Sequence, residues 1–301
     1  MNYHNESKCV APGIVTGRSG TIGRLTYIES GPYWPHNTSL WVTDFKGNIP
    51  LFVYYLLEHI DLSRFSSGSG VPTLNRNDVH AFKTCIPSVE EQHKIADCLS
   101  IIDKRISIQN KVIEKYESLI KALRHHLFST LESVKEVPVA DLLSYEQPTK
   151  YIVSDTEYSN NTDLTPVLTA NKAFILGYTD EVEGIYDKGP CIILDDFTLD
   201  SKIVEFPFKV KSSAIKILSA KTTVSLRYIF EYLKFLDLNT EEHKRHYIAE
   251  IEPMSIELPE EDTIKSIAFL FDLMDKRRKG LERGQQLLKS QKDYLLREIF
   301  I

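Results

Sequence analysis

The chain has 301 residues, of which 42% are hydrophobic and 26% charged, with a formal net charge of −6. That is the composition of a globular chain with room for about two domains, and no apolar run nears the ~20 residues needed to cross a bilayer. Cys9, Cys85, Cys98 and Cys191 form no C-x-x-C pair, and no basic flank with an apolar stretch opens the chain, so neither a zinc knuckle nor a disulfide framework is expected, the opening does not read as a secretory leader, and the expected compartment is the cytoplasm.

The acidic balance argues against coating nucleic acid by bulk charge, but it allows a local basic face. In chain order, residues 13–28 (GIVTGRSGTIGRLTYI) predict a strand, a glycine-rich turn and a second strand. A strand at SLWVTDF and a helix around Pro50–Leu57 follow. The turn lacks the Gly-Lys-Ser/Thr of a phosphate loop and joins strand to strand, which speaks against nucleotide binding there. Its Arg18, Ser19 and Thr21, together with Ser67, Ser69, Asn75 and Arg76 in the next polar stretch, are candidate DNA contacts. Small residues let backbone amides approach phosphates, while arginine and asparagine suit guanine and adenine edges. Further on, GPCIILDD, SKIVEFPFKV and AIKIL predict strands, and Leu226–Leu236 a helix. Lys209, Lys211, His243, Lys244 and Arg245 supply the basic candidates of this second piece.

The most informative feature is long-range. The segment Ile86–Phe128 returns without a gap as Leu258–Phe300, a shift of 172 positions that superimposes Asp103-Lys104-Arg105 on Asp275-Lys276-Arg277. A period this long is not a solenoid; it describes two copies of a globular piece followed by a long helix. Ile95, Leu99, Ile102, Ile106, Ile113, Ile120 and Leu123 follow heptad spacing, with Gln109 as a polar interruption. The second copy keeps Ile267, Phe271, Met274, Leu281, Leu288 and Leu295 but places Arg278, Gln285 and Lys292 in the seam. Such stripes favour a helix partner, and an intramolecular antiparallel pair satisfies both. The alternative is that each helix packs only on its own globular piece.

On GRSGTIG, FSSGSGVPTLNRNDVH, IPSVEEQHKIADCLSIIDKRI and the later LDDFTLDSKIVEFPF, HKRHYIAEI and LPEEDTIKSIAFLFDLMDKR, the chain resembles the specificity subunit of type I restriction-modification systems. The resemblance implies an α+β fold with two target recognition domains alternating with two long conserved-region helices paired as an antiparallel coiled coil. The boundaries it suggests are 1–88 for a partial first recognition domain, 89–130 for the first helix, 131–259 for the second recognition domain and 260–301 for the second helix. A complete first domain is expected to begin before Met1. The resemblance further implies a non-catalytic subunit in phage defence that recognises a bipartite target in double-stranded DNA. It would dock methyltransferase subunits, expected to be two, and meet a restriction/translocase subunit through the complex. The chain itself would need no cofactor; S-adenosylmethionine would serve the methyltransferase.

Two rival readings remain. Asp195, Asp196, Asp200 and Lys202 have the residue types of a metal-dependent nuclease, but the D-x-K spacing is common by accident. A truncated or silent fragment that acts only as a protein-interaction module would explain the helices without any DNA contact.

Overall fold

The computed structural model describes residues 6–67, 72–170, 173–238 and 246–300. The first half holds β1 (Cys9–Val10), β2 (Gly13–Gly17), β3 (Leu25–Ile28), β4 (Pro32–Tyr33), β5 (Ser39–Trp41), α1 (Pro50–Ile60), β6 (Ser66–Ser67), β7 (Thr73–Leu74), α2 (Arg76–Ala81) and the long α3 (Val89–Ser129). There follow β8 (Lys135–Pro138), α4 (Val139–Leu142), β9 (Leu143–Glu146), β10 (Thr165–Leu168), β11 (Ile175–Thr179), β12 (Cys191–Asp195), β13 (Ser201–Val204), β14 (Lys209–Val210) and β15 (Ile215–Ala220). The chain ends with α5 (Leu226–Phe235), β16 (Ser255–Leu258) and the long α6 (Glu261–Ile299). Two compact units emerge, 1–114 with 280–301 and 115–279, so the boundary falls inside both long helices.

In the first unit β2 lies between β3 and β5 in an antiparallel sheet, and α1 packs on it. Proline suits the first turn of α1, where an amide would go unpaired anyway, and the helix stops at Asp61, whose φ of 54° is left-handed. Phe52, Leu56 and Ile60 recur at helical spacing and form the core with Leu62, Leu74 and Ala96. Tyr55 joins Leu99 and Leu296 in a second apolar cluster, which seats α1 on the long helices. Gln92, only 1% exposed, secures the entry to α1. It accepts from the Ile49 amide at 2.9 Å and donates to Asn48 Oδ1 at 2.9 Å and the Pro87 carbonyl at 3.0 Å. A buried amide side chain satisfied on both ends in this way orients rather than destabilises.

The second unit is built on a four-stranded antiparallel sheet in the order β13-β12-β15-β9. Every residue of β12 is buried, because both faces are covered and successive side chains alternate between them. Ile192, Leu194 and Leu218 face α5 and the long helices, while Cys191, Ile193 and Ile217 face Tyr186, Phe208 and Val210. SKIVEFPFKV divides into two strands rather than one: β13 belongs to the larger sheet, whereas β14 pairs parallel with β10 in a second, three-stranded sheet. Pro207, which has no amide to donate, lies at the break.

Within each unit the helix segments pair antiparallel, as the heptad pattern predicts. In the first, Gln109 Nε2 donates to the Leu281 carbonyl at 2.8 Å and Gln285 Nε2 to Asn110 Oδ1 at 2.6 Å. In the second, the Tyr116 hydroxyl reaches the Met274 carbonyl at 3.4 Å and Phe128 stacks on Phe271 with centroids 6.3 Å apart. All the apolar seam positions named from the sequence are buried or half-buried.

Candidate nucleic-acid interface

In the first unit the fold brings two separated sequence stretches together. The turn after β2 is built on Gly20 and Gly23, with φ of 78° and 81°, values that glycine adopts without a Cβ penalty. The turn then lies along β7: Ser19 bridges Thr73, and the Leu74 amide donates to the Arg18 carbonyl at 2.8 Å. β6 pairs with β7 through Ser67 and Thr73. Arg18, Thr21 and Ser67 are exposed and Ser19 is half-buried, so one surface carries the residues singled out from both stretches.

Arg76 opens α2, two residues beyond β7, and is exposed. Asn75 has a defined structural role: its Oδ1 accepts from the Asn77 amide at 3.0 Å and caps α2, leaving only its Nδ2 for a base edge. Ser69 lies outside the described residues. Arg64 was not singled out from the sequence. Its guanidinium lies 5.5 Å from the Phe65 ring centroid and 5.4 Å from that of Phe82. The sequence signal would have been an arginine beside a phenylalanine, which is too common to select without the second ring. Arg18, Arg64 and Arg76 make no ion pair among the described residues, so their charge is uncompensated toward solvent.

The second unit treats its basic residues differently, which corrects one expectation. Lys209 is 3% exposed, and its ammonium meets Glu181 Oε2 at 2.6 Å and the Glu183 carbonyl at 2.7 Å. That hydrogen bond holds the Glu181 carboxyl below its ordinary range. Lys209 is an internal strut, not a phosphate contact. Lys211 is exposed; His243, Lys244 and Arg245 lie outside the described residues. Lys234 on α5, also not singled out from the sequence, is half-buried and makes no ion pair among the described residues. Burial first, and then the charge of Lys202, push its ammonium below the ordinary value, an environment that an incoming anion would relieve.

The acidic group near β12 is engaged in structure. Asp195 Oδ1 accepts from the Phe197 and Thr198 amides at 2.9 and 3.0 Å. Asp196 Oδ1 accepts from the His246 and Tyr247 amides at 3.1 and 2.8 Å, and its Oδ2 lies 3.2 Å from Lys216.

The helix that precedes each polar stretch is fastened to the long pair through the repeated aspartate. In the first unit Asp103 accepts from the Tyr55 hydroxyl at 2.8 Å and meets Lys292 at 2.9 Å, while Lys292 also reaches Glu58 at 2.9 Å. In the second, Asp275 lies 3.6 Å from Arg227, which bonds Asp272 at 2.6 Å; Glu231 takes Arg124 at 2.7 Å.

Residues 1–118 match the family model described as the type I restriction modification DNA specificity domain. The Escherichia coli type I restriction enzyme EcoR124I/EcoR124II specificity subunit is 43% identical over 132 residues, 42% of this chain and 32% of that protein. Over part of its length the chain is thus similar to type I specificity subunits. The putative type I restriction enzyme MjaX specificity subunit of Methanocaldococcus jannaschii is 24% identical over 318 aligned positions, 91% of this chain and 74% of that one. The matched part thus spans about a third of the first specificity subunit and three quarters of the second. In fold, the chain is similar to the S subunit of a type I restriction-modification system from M. genitalium, with a TM-score of 0.65, 15% identity and coverage of 99% of this chain and 85% of that one. A chain from a structure concerned with complex assembly and conformational transition of the type I R-M system gives a TM-score of 0.54 at 13% identity, covering 96% and 81%. No helix of the described residues is long and apolar enough to cross a membrane.

Proposed function

We propose that this chain acts as a type I specificity subunit: it reads a bipartite target in double-stranded DNA, one part through each globular piece, and docks methyltransferase subunits while performing no chemistry itself. The observation that carries the proposal is the surface where the β2 turn meets the β6–β7 hairpin, with Arg18 and Arg76 exposed and unpaired among the described residues beside Ser19, Thr21 and Ser67. Unpaired guanidinium groups serve phosphates as charge and guanine as a bidentate donor, and hydroxyls adapt to either. In the second piece, exposed Lys211 and the Lys202–Lys234 pair supply the equivalent charge, with His243, Lys244 and Arg245 proposed from the sequence.

Docking is supported by a feature that the repeat duplicates. Ile101, 58% exposed, precedes exposed Lys104 and Arg105 at the three- and four-residue spacing that shares a helix face; Leu273, 55% exposed, precedes exposed Lys276 and Arg277 identically. Two equivalent apolar-and-basic faces fit two copies of one partner. The test is footprinting with the methyltransferase subunits from the same host. A split protected site that is lost with Arg18→Gln plus Arg76→Gln is expected, whereas no protection of any sequence by the reconstituted complex would remove the DNA-reading role.

A further inference from the structure

A cleft of about 390 Å³ opens in the first unit, at the small end of the ~300–1,000 Å³ typical of ligand sites. Its lining includes Thr16, Leu40, Trp41, Leu74, Arg76 and His80. Thr16 stands two residues before Arg18, and Leu74 donates its amide to the Arg18 carbonyl at 2.8 Å, so the walls are continuous with the proposed DNA face.

Thr16 carries the argument. It is only 7% exposed, and its hydroxyl has no hydrogen-bond partner among the described residues. Buried hydroxyls are nearly always paired, so one left open in a cleft wall points to a ligand atom. Around it the walls are mainly apolar, with Ile14 and Leu74 buried; Thr43 and Asp44 also line the cleft, the Asp44 carboxylate being paired with Lys46 at 2.7 Å, while Arg76 and His80 are exposed. Neither Arg76 nor His80 makes an ion pair among the described residues. A wholly apolar ligand would leave Thr16 and Arg76 unused, and a sugar would leave the apolar walls unused. A flat heterocycle bearing an anion uses all three features: apolar walls, a hydroxyl that both donates and accepts, and a guanidinium for the anion.

We infer that this cleft takes a single nucleotide, with the base between the apolar walls and within reach of the Thr16 hydroxyl and the phosphate toward Arg76. The nucleotide comes either from a DNA strand, which rests on the DNA-reading role proposed above, or from free solution, which does not.

Titration of the full chain carrying Trp34→Phe with dAMP, dGMP, dCMP and TMP, followed by Trp41 fluorescence, tests it. Saturable binding of at least one nucleotide is expected, weakened about tenfold by the near-isosteric Thr16→Val and by Arg76→Gln, and abolished by Val79→Phe, which fills the cleft without adding a tryptophan. Thermal melts report whether each variant is folded. A duplex selected for binding is then added: displacement of the nucleotide assigns the cleft to a base of bound DNA, and simultaneous binding assigns it to a free nucleotide. Absence of saturable binding by all four nucleotides, or undiminished binding in folded Thr16→Val and Val79→Phe, would overturn the inference. A chain that binds nucleotide but no duplex would instead overturn the DNA-reading role and leave the cleft intact.

Discussion

Arg18 in the first unit and Lys209 in the second were both cations in strand-associated positions, yet the fold leaves one facing solvent unpaired and closes the other inside an ion pair. Residue type therefore does not decide which cations can meet a phosphate; the partner brought by the fold does. The two units also fasten their helices differently. The first uses Lys292 between Glu58 and Asp103, whose side chains are 33% and 36% exposed, whereas the second buries Glu231 against Arg124 and Arg227.

That contrast is open to breakage, and the largest effect is expected at the buried clamp. Glu231→Ala removes the carboxylate of Arg124, while Arg227 keeps Asp272 and Asp275, and should lower the stability of the second unit by ~3–5 kcal/mol in chemical denaturation. Leu99→Ala, at a fully buried seam position, should cost ~2–5 kcal/mol through lost contacts and a cavity. Lys292→Met, in the wetter clamp, should cost only ~1–2 kcal/mol; a loss equal to that of Glu231→Ala would erase the difference between the units.

The DNA comparison is sharpened by salt. Replacing Arg18 and Arg76 with glutamine should lower the slope of log affinity against log salt by ~2, because each phosphate contact contributes ~0.9. Lys209→Met should leave that slope unchanged while reducing stability. The reverse pattern would mean that Lys209, and not the turn, faces DNA.

The smallest effect is acidic. Burial alone would raise the Asp275 carboxyl, but hydrogen bonds from Lys279 and Arg278 hold it below its ordinary range. Its folded value is thus depressed, so its stabilisation is present above the unfolded value near ~3.9 and is lost as pH falls through the folded one. Denaturation curves of wild type and Asp275→Asn should therefore converge as pH falls below ~4; a constant gap would contradict the assignment.

Much of this architecture was legible because it repeats. The heptad stripes gave the pairing, and even their polar interruptions were informative: Gln109, Gln285 and Lys292 each find a partner across the seam. The repeat also marked Asp103 and Asp275, but not their tasks, since Tyr55 and Arg227 reach them from residues 48 positions away in each copy. Lys209 was misplaced because a lysine in a short strand carries no sign of which face is inward. Its partners Glu181 and Glu183 come from a loop that no periodicity describes. Arg64 stayed hidden for the same reason, as Phe82 meets it only in the fold.

The most direct test of the central claim is the methylome of cells carrying this gene with the proposed methyltransferase subunit, compared with cells lacking the gene. Loss of a split-site adenine methylation pattern on deletion is predicted, and it would reveal both parts of the target. An unchanged pattern in an otherwise active background would contradict a role in setting DNA specificity.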